Sequence, residues 1–344
     1  MIDPYWADTD ADLTLYHGDS VDVLPGLPDD SVSLICTDPP YGVDLMGKAW
    51  DKALPDPTVW AECLRVLKPG GFMFAFMTPR LDCLWRFGSQ GEGVGFDVGH
   101  YLFEWVYADG FPKGRDLPDG RKGGRQSMKP AHEAIVVAQK HRAEKTIAAN
   151  VEKHGTGGLY VDGCMIPFPG DGTPESDGGG WGWEASEGPG FNGGWNADHQ
   201  TTANPKGRHP ANLAVTDQAL GRRSKYYDVD RWAREHVVFT ECGALAYCPK
   251  AATSEKDAGT DGNPHPSVKP LALVSWLLTL GTPDGGLVLD PFAGTGTTLV
   301  AAKALGIRAV GVELNDTPAE PFCTIARQRI EAQDPPAPTQ GTLL

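Results

Sequence analysis

The sequence contains no apolar run long enough to cross a bilayer, and it opens on MIDPYWADTDADL without a basic, apolar leader. Neither a membrane span nor a secretory signal is expected. It also lacks any C-x-x-C pair: the seven cysteines, at 36, 63, 83, 164, 242, 248 and 323, are odd in number and scattered. Reduced thiols in a cytoplasm are expected rather than a disulfide framework, and no metal site is expected, Cys242 and Cys248 included. Positive charge is scarce as well. Thirty Lys and Arg stand against 45 Asp and Glu, a net −15, which argues against a body coated in positive charge for a polyanion.

Distribution qualifies that balance. Residues 111–145 carry nine Lys/Arg (113, 115, 121, 122, 125, 129, 140, 142, 145) against four acids, and Arg222, Arg223, Lys225, Arg231 and Arg234 form a second island. An acidic body with basic islands in its middle still grips a polyanion locally, although solvated loop faces explain the same charges.

Along 344 residues there is room for one large domain with an inserted second unit. Strands are expected at 12–20, 31–37, 71–78, 101–108 and 132–140. A helix over 56–68 should stop at Pro69-Gly70-Gly71, and another begins at Leu81. After residue 153 the composition shifts, and 169–200 is rich in Gly, Pro, acids and Trp without a period, which reads as a long surface excursion. Order returns with a helix at 270–281, strands at 286–290 and 307–315, and a last helix before the tail. Strands alternating with helices imply an α/β fold whose mostly parallel sheet is covered on both faces. The division expected is 1–145 and 263–332 as two parts of one catalytic domain, 146–262 as an insert, and 333–344 as a tail.

Two stretches carry chemistry. In DPFAGTGTT (290–298) a strand enters Gly294 and Gly296 and then a helix, and the next strand ends in Glu313. Small residues let a ligand approach the backbone at a helix N-terminus, and an acid after the following strand accepts hydrogen bonds from ribose hydroxyls. Thr297 and Thr298 stand where G-x-G-x-x-G would place its third glycine, and no G-x-x-x-x-G-K-[ST] loop exists. A nucleoside without a pyrophosphate fits better than NAD or ATP. The other stretch is TDPPY (37–41), where two prolines end a buried strand. An exocyclic base amine is a poor nucleophile because its lone pair is delocalised into the ring. Asp38 and the Pro39 carbonyl can accept its two N–H bonds, and Tyr41 offers a face on which a flipped base stacks.

Together, TDPPYG, LKPGG, GFPKGRDL, KPAHEAIVVAQK, HGTGGLYVDGC, GRHPANLAV, YCPKA, HPSVKPLALVSWLL and DPFAGTGTT resemble the S-adenosylmethionine-dependent DNA amino-methyltransferases. The order resembles their circularly permuted beta class, and phage- and prophage-encoded members in particular. The resemblance implies a doubly wound, Rossmann-like methyltransferase sheet, circularly permuted, with an inserted target-recognition region. It makes Asp38, Pro39, Pro40 and Tyr41 the catalytic motif. Asp290, Phe292, Gly294, Gly296 and Thr297 would line the cofactor and Glu313 would hold its ribose. Asp19 would meet the adenine edge, though it also reads as a turn cap, and Lys269 with Ser267 would sit near the methionine carboxylate. Trp50, Lys113, Arg115, Arg222 and Arg223 are the expected DNA contacts. Double-stranded DNA is the implied partner in a bacterial cytoplasm, with a homodimer and a cognate restriction endonuclease as further candidates.

The implied reaction is methylation of adenine N6, with cytosine N4 as the close competitor; relatives acting on cytosine more often carry Ser where this chain has Asp38. A protein glutamine methyltransferase and an inactive DNA-binding module are the more distant readings.

Overall fold

The computed structural model describes residues 2–44, 47–107, 130–167, 207–215, 220, 227–237, 253–265 and 267–336. Within them the strands are β1 (Trp6–Asp8), β2 (Leu13–His17), β3 (Val32–Thr37), β4 (Leu67–Met77), β5 (Phe103–Val106), β6 (His132–Gln139), β7 (Leu213–Val215), β8 (Leu287–Asp290) and β9 (Arg308–Glu313). They form one sheet in the order β1-β2-β9-β8-β3-β4-β6-β5-β7. From β2 to β4 every neighbour is parallel, while β6 runs antiparallel between β4 and β5. The helices are α1 (Ser20–Val23), α2 (Pro57–Val66), α3 (Leu81–Val94), α4 (Ile147–His154), α5 (Val229–His236), α6 (Thr253–Asp257), α7 (Leu271–Gly281), α8 (Thr297–Leu305) and α9 (Phe322–Ala332). None of them is long and apolar enough to cross a membrane.

The central strands are apolar throughout because both faces are covered, and their side chains sort by the strand's two-residue period. Phe72, Phe74 and Phe76 of β4 join one core with Leu34 and Cys36 of β3 and the helices α5, α7, α8 and α9. Met73, Ala75 and Met77 point the other way, into a second core with Ile35, Trp60, Cys63 and Phe87 under α2 and α3. The five described cysteines, at 36, 63, 83, 164 and 323, are buried and free.

Three features differ from the sequence reading. β4 begins at Leu67, four residues before the expected strand, so α2 ends at Val66. The chain crosses Pro69-Gly70-Gly71 as an irregularity in the ladder: Val32 pairs with Leu67 but Leu34 with Phe72, and Gly70 has φ +81°. α7 is buried almost all round rather than on one face, since it lies between the sheet and its neighbours α5 and α8. β7 adds to the sheet beside β5, and Cys164, Ile166, Ala214, Val229 and Trp232 enter the same core as α7. These elements are too short for their period to be read from sequence. The 169–200 excursion, GFPKGRDL and YCPKA lie wholly or mostly outside the described residues.

The topology fixes where a ligand can bind. β8 passes through α8 to β9 on one side, and β3 passes through α2 to β4 on the other, so the carboxyl ends of β3 and β8 form the switch point of the sheet. Leu34 locks this junction, fully buried opposite Val288 and Phe72. Replacing it with alanine should cost about 2–5 kcal/mol, read as a lower urea midpoint at constant slope; an unchanged midpoint would contradict that packing role.

Candidate active site

At the end of β3, Asp38 turns the chain out of the sheet through Pro39 and Pro40. The segment beyond is held by Asp51, only 2% exposed, whose Oδ1 accepts from the backbone N–H groups of Tyr41 (2.7 Å) and Gly42 (3.0 Å). Asp38 itself is surrounded by donors. The Tyr41 hydroxyl donates to its Oδ1 at 2.7 Å and Lys269 Nζ to its Oδ2 at 2.5 Å. Glu133, near the start of β6, lies 3.3 Å from the Tyr41 hydroxyl and 3.4 Å from Lys269 Nζ. Burial draws the Lys269 ammonium down, but the two carboxylates outweigh it and hold the group above its ordinary value. Burial, then Asp38 and Glu133, push the Tyr41 phenol well up, so it stays protonated. Lys269 is positioned by the start of α7, where buried Glu255 accepts from the Leu271 N–H at 2.7 Å.

At the end of β8, Asp290 is buried and fully engaged. Thr37 Oγ1 donates to its Oδ1 at 2.8 Å, Thr298 Oγ1 to its Oδ2 at 2.6 Å, and the Phe292 N–H to Oδ1 at 3.1 Å. Burial raises its pKa to about 6 despite those donors. The loop that follows needs its glycines. Gly294 and Gly296 have φ of +53° and +78°, and a Cβ on Gly296 would sit 2.9 Å from that of Ala326 in α9. Glu313, at the end of β9, accepts from the N–H groups of Gly294 and Asn315, both at 2.8 Å, and burial raises it to about 7.

Between these ends opens a cavity of about 970 Å³. Its wall includes Asp19, Asp38, Pro39, Pro40, Tyr41, Trp50, Ser267, Lys269, Phe292, Gly294 and Glu313. Asp290 and Thr297 line a smaller recess beside it. Gly296 lines neither, because its closeness to α9 serves packing. Asp19 does cap α1, accepting from the Val21 N–H at 3.1 Å, while also facing the cavity. Lys269 pairs with Asp38 at the turn, a partner other than the cofactor carboxylate implied by resemblance. Trp50, expected at DNA, stacks on His265 with ring centres 6.0 Å apart and planes 13° from parallel. Burial first, and nearby cations after it, push the imidazole of His265 down to about 3, so that wall is uncharged. Lys48, two residues before Trp50, pairs with Glu320 at 2.7 Å and ties two wall segments together. Lys113, Arg115, Arg222 and Arg223 lie outside the described residues. Within the first basic island, Lys140 is engaged internally, donating to Asp30 at 2.6 Å and to the Leu67 carbonyl at 2.7 Å.

A family model for DNA methylases of the N6/N4 type matches residues 32–322. The chain belongs to this DNA methylase family. Its curated relatives include the Type II methyltransferase M.HpaI of Haemophilus parainfluenzae, 23% identical over 94% of this chain and 75% of the relative. M.BamHI of Bacillus amyloliquefaciens is 24% identical over 93% of this chain and 57% of the relative, so the chain spans little more than half of that protein. Among solved structures, the cytosine-N4-specific PvuII DNA methyltransferase superposes with a TM-score of 0.50 at 14% identity, covering 94% of this chain and 95% of its own, a likeness of fold.

The methyl donor of the family is S-adenosylmethionine, and the methylase's cavity fits it. Gly294 has no side chain to fill the cradle beside His265, whose Nε2 lies 3.6 Å from where a Cβ would stand, and Glu313 offers a carboxylate at the same wall. Sequence reasoning missed Asp51, Glu133 and His265. Glu133 left one trace, an acid opening an apolar strand; the antiparallel course of β6 brings that opening to the edge where β3 ends. Replacing Asp51 by alanine strands the Tyr41 and Gly42 donors and should cost about 1–3 kcal/mol. Thermal unfolding of the variant checks this, and an unchanged midpoint would remove Asp51 as the anchor of the turn.

Proposed function

We propose that this methylase transfers a methyl group to N6 of an adenine swung out of duplex DNA. The observation that carries the reading is Asp38, a carboxylate at the head of a Pro-Pro-Tyr turn, opening on the same cavity as Glu313 and Gly294. Asp38 and the Pro39 carbonyl accept the two N–H bonds of the amine and offset its charge as it becomes positive, while Tyr41 stacks on the base. S-adenosylmethionine, when bound, supplies a methyl carbon on a sulfonium, so that the N–C bond forms as the C–S bond breaks and the thioether keeps the electron pair. The surplus amine proton passes to solvent. No covalent enzyme intermediate is required, and alignment of the reacting atoms supplies much of the rate.

Glu313 is the proposed acceptor for the ribose hydroxyls, Asp19 for the adenine edge, and Phe292 and Gly294 the surfaces against the cofactor, with Ser267 beside them. Asp290, Gly296 and Thr297 shape the loop from behind. Lys113, Arg115, Arg222 and Arg223 are proposed to grip phosphates, with Trp50 assigned to the wall over the cofactor instead. A second copy of the chain and a restriction endonuclease of the same specificity are the partners that this reading carries, in a bacterial cytoplasm.

Nucleoside analysis of DNA from cells expressing the methylase tests the choice of base. N6-methyladenine is expected from the natural chain and none from an Asp38→Ala variant; N4-methylcytosine in its place would overturn the adenine assignment. Titration of Glu313 makes a separate prediction. Ribose hydroxyls donate to the ionised carboxylate, so S-adenosylmethionine affinity should fall as pH drops below about 7, where the buried acid takes up its proton. Calorimetry between pH 5.5 and 8 should show that loss in the natural chain and a flatter profile in Glu313→Gln; parallel profiles would take Glu313 out of the ribose site.

A further inference from the structure

Both carboxylate oxygens of Asp38 are already engaged. Tyr41 holds one carboxylate oxygen at 2.7 Å and Lys269 the other at 2.5 Å, so an incoming amine N–H has to share an oxygen that already accepts a hydrogen bond. The Lys269 charge also cancels the negative charge that should offset a nitrogen turning positive. A second carboxylate stands beside both donors, since Glu133 Oε2 is 3.3 Å from the Tyr41 hydroxyl and 3.4 Å from Lys269 Nζ. All three ionic side chains are shielded, with exposures of 6% for Lys269, 16% for Glu133 and 24% for Asp38. Phe76 and Tyr41 flank the ammonium with their rings, at 5.2 and 5.6 Å, and offer it no other anion. Of the nearby titratable groups, His132 faces Glu104 at 3.5 Å, and the burial of Tyr107 keeps its phenol protonated.

We propose that Glu133 is a positioning residue for methyl transfer: it takes over Lys269 and the Tyr41 hydroxyl when the target amine reaches Asp38. Each donor has only to close the gap to an oxygen already beside it. Two carboxylates and one ammonium leave a single negative charge in the cluster. With Lys269 on Asp38 that charge rests on Glu133; after the hand-over it rests on Asp38, against the nitrogen that needs it. Without Glu133 the ammonium has no second anion among the described residues and stays where it is. This inference rests on the methyl-transfer reading above and extends it to a residue that does not touch the base.

The test is single-turnover transfer of tritiated methyl from S-adenosylmethionine to plasmid DNA from a methylation-deficient host, using the full chain. Glu133→Gln should slow the step on the order of tenfold or more, with S-adenosylmethionine and DNA affinities within about twofold of the natural chain. Adding Lys269→Met to Glu133→Gln should recover part of the rate, because no ammonium then cancels the charge on Asp38. Glu133→Asp, which keeps the charge, should retain more activity than the amide, and should show a reduced rate at unchanged affinity if the amide variant fails to fold. A natural rate in Glu133→Gln, or losses from the two substitutions that simply multiply, would overturn the hand-over alone. Absence of label in DNA with the unaltered chain would instead overturn the methyl-transfer reading beneath it.

Discussion

The buried carboxylate of Asp290 is the constraint on which the site depends. It gathers Thr37 from the end of β3, Thr298 from the start of α8 and the Phe292 N–H from its own loop. Thr37 and Asp290 are 253 positions apart, so this junction joins the two ends of the chain. Removing such a group from water is costly, and its raised pKa records that cost; three donors offset it. Because the junction holds, the proline turn and the glycine loop open into one cavity, and chemistry divided between distant segments is assembled at one edge of the sheet.

The ionisable groups around that cavity are then set apart by environment. Asp38 is exposed enough to meet a ligand and is held by a lysine and a phenol. Glu313 accepts from two backbone N–H groups and is still pushed up to about 7 by burial. His265, pushed down to about 3, adds no positive charge beside the loop where a sulfonium is proposed to lie. Similar side chains therefore serve different purposes, and burial and neighbouring charge separate them.

Much of this is legible in the sequence, and what is missing has a physical reason. The TDPPY turn and the glycine loop announce themselves because prolines and positive-φ glycines restrict the backbone locally. The alternation of strands and helices gives the fold class, since sustained apolar runs need cover on both faces. Glu133 and Asp51 are different. They act through long-range placement, by the antiparallel return of β6 and by the path of the loop after Tyr41, and no local pattern encodes either. Lys269 is visible as a lysine before a proline, yet its partner is not, because β3 and α7 meet only in three dimensions. Trp50 is visible as an aromatic in a loop, yet its stacking on His265 is not.

The ion pair between Lys48 and Glu320 has a further meaning. Lys48 belongs to the segment that leaves the proline turn, and Glu320 to the segment between β9 and α9, beside the proposed ribose site. The pair thus bridges the two segments that carry Trp50 and Phe322 to the cavity wall. A rearrangement of either segment that keeps the pair carries the other segment with it, and one that breaks it gives up only a partly exposed ion pair. Linkage is reciprocal: any coupling that this strap gives between DNA and the methyl donor changes both affinities by the same factor.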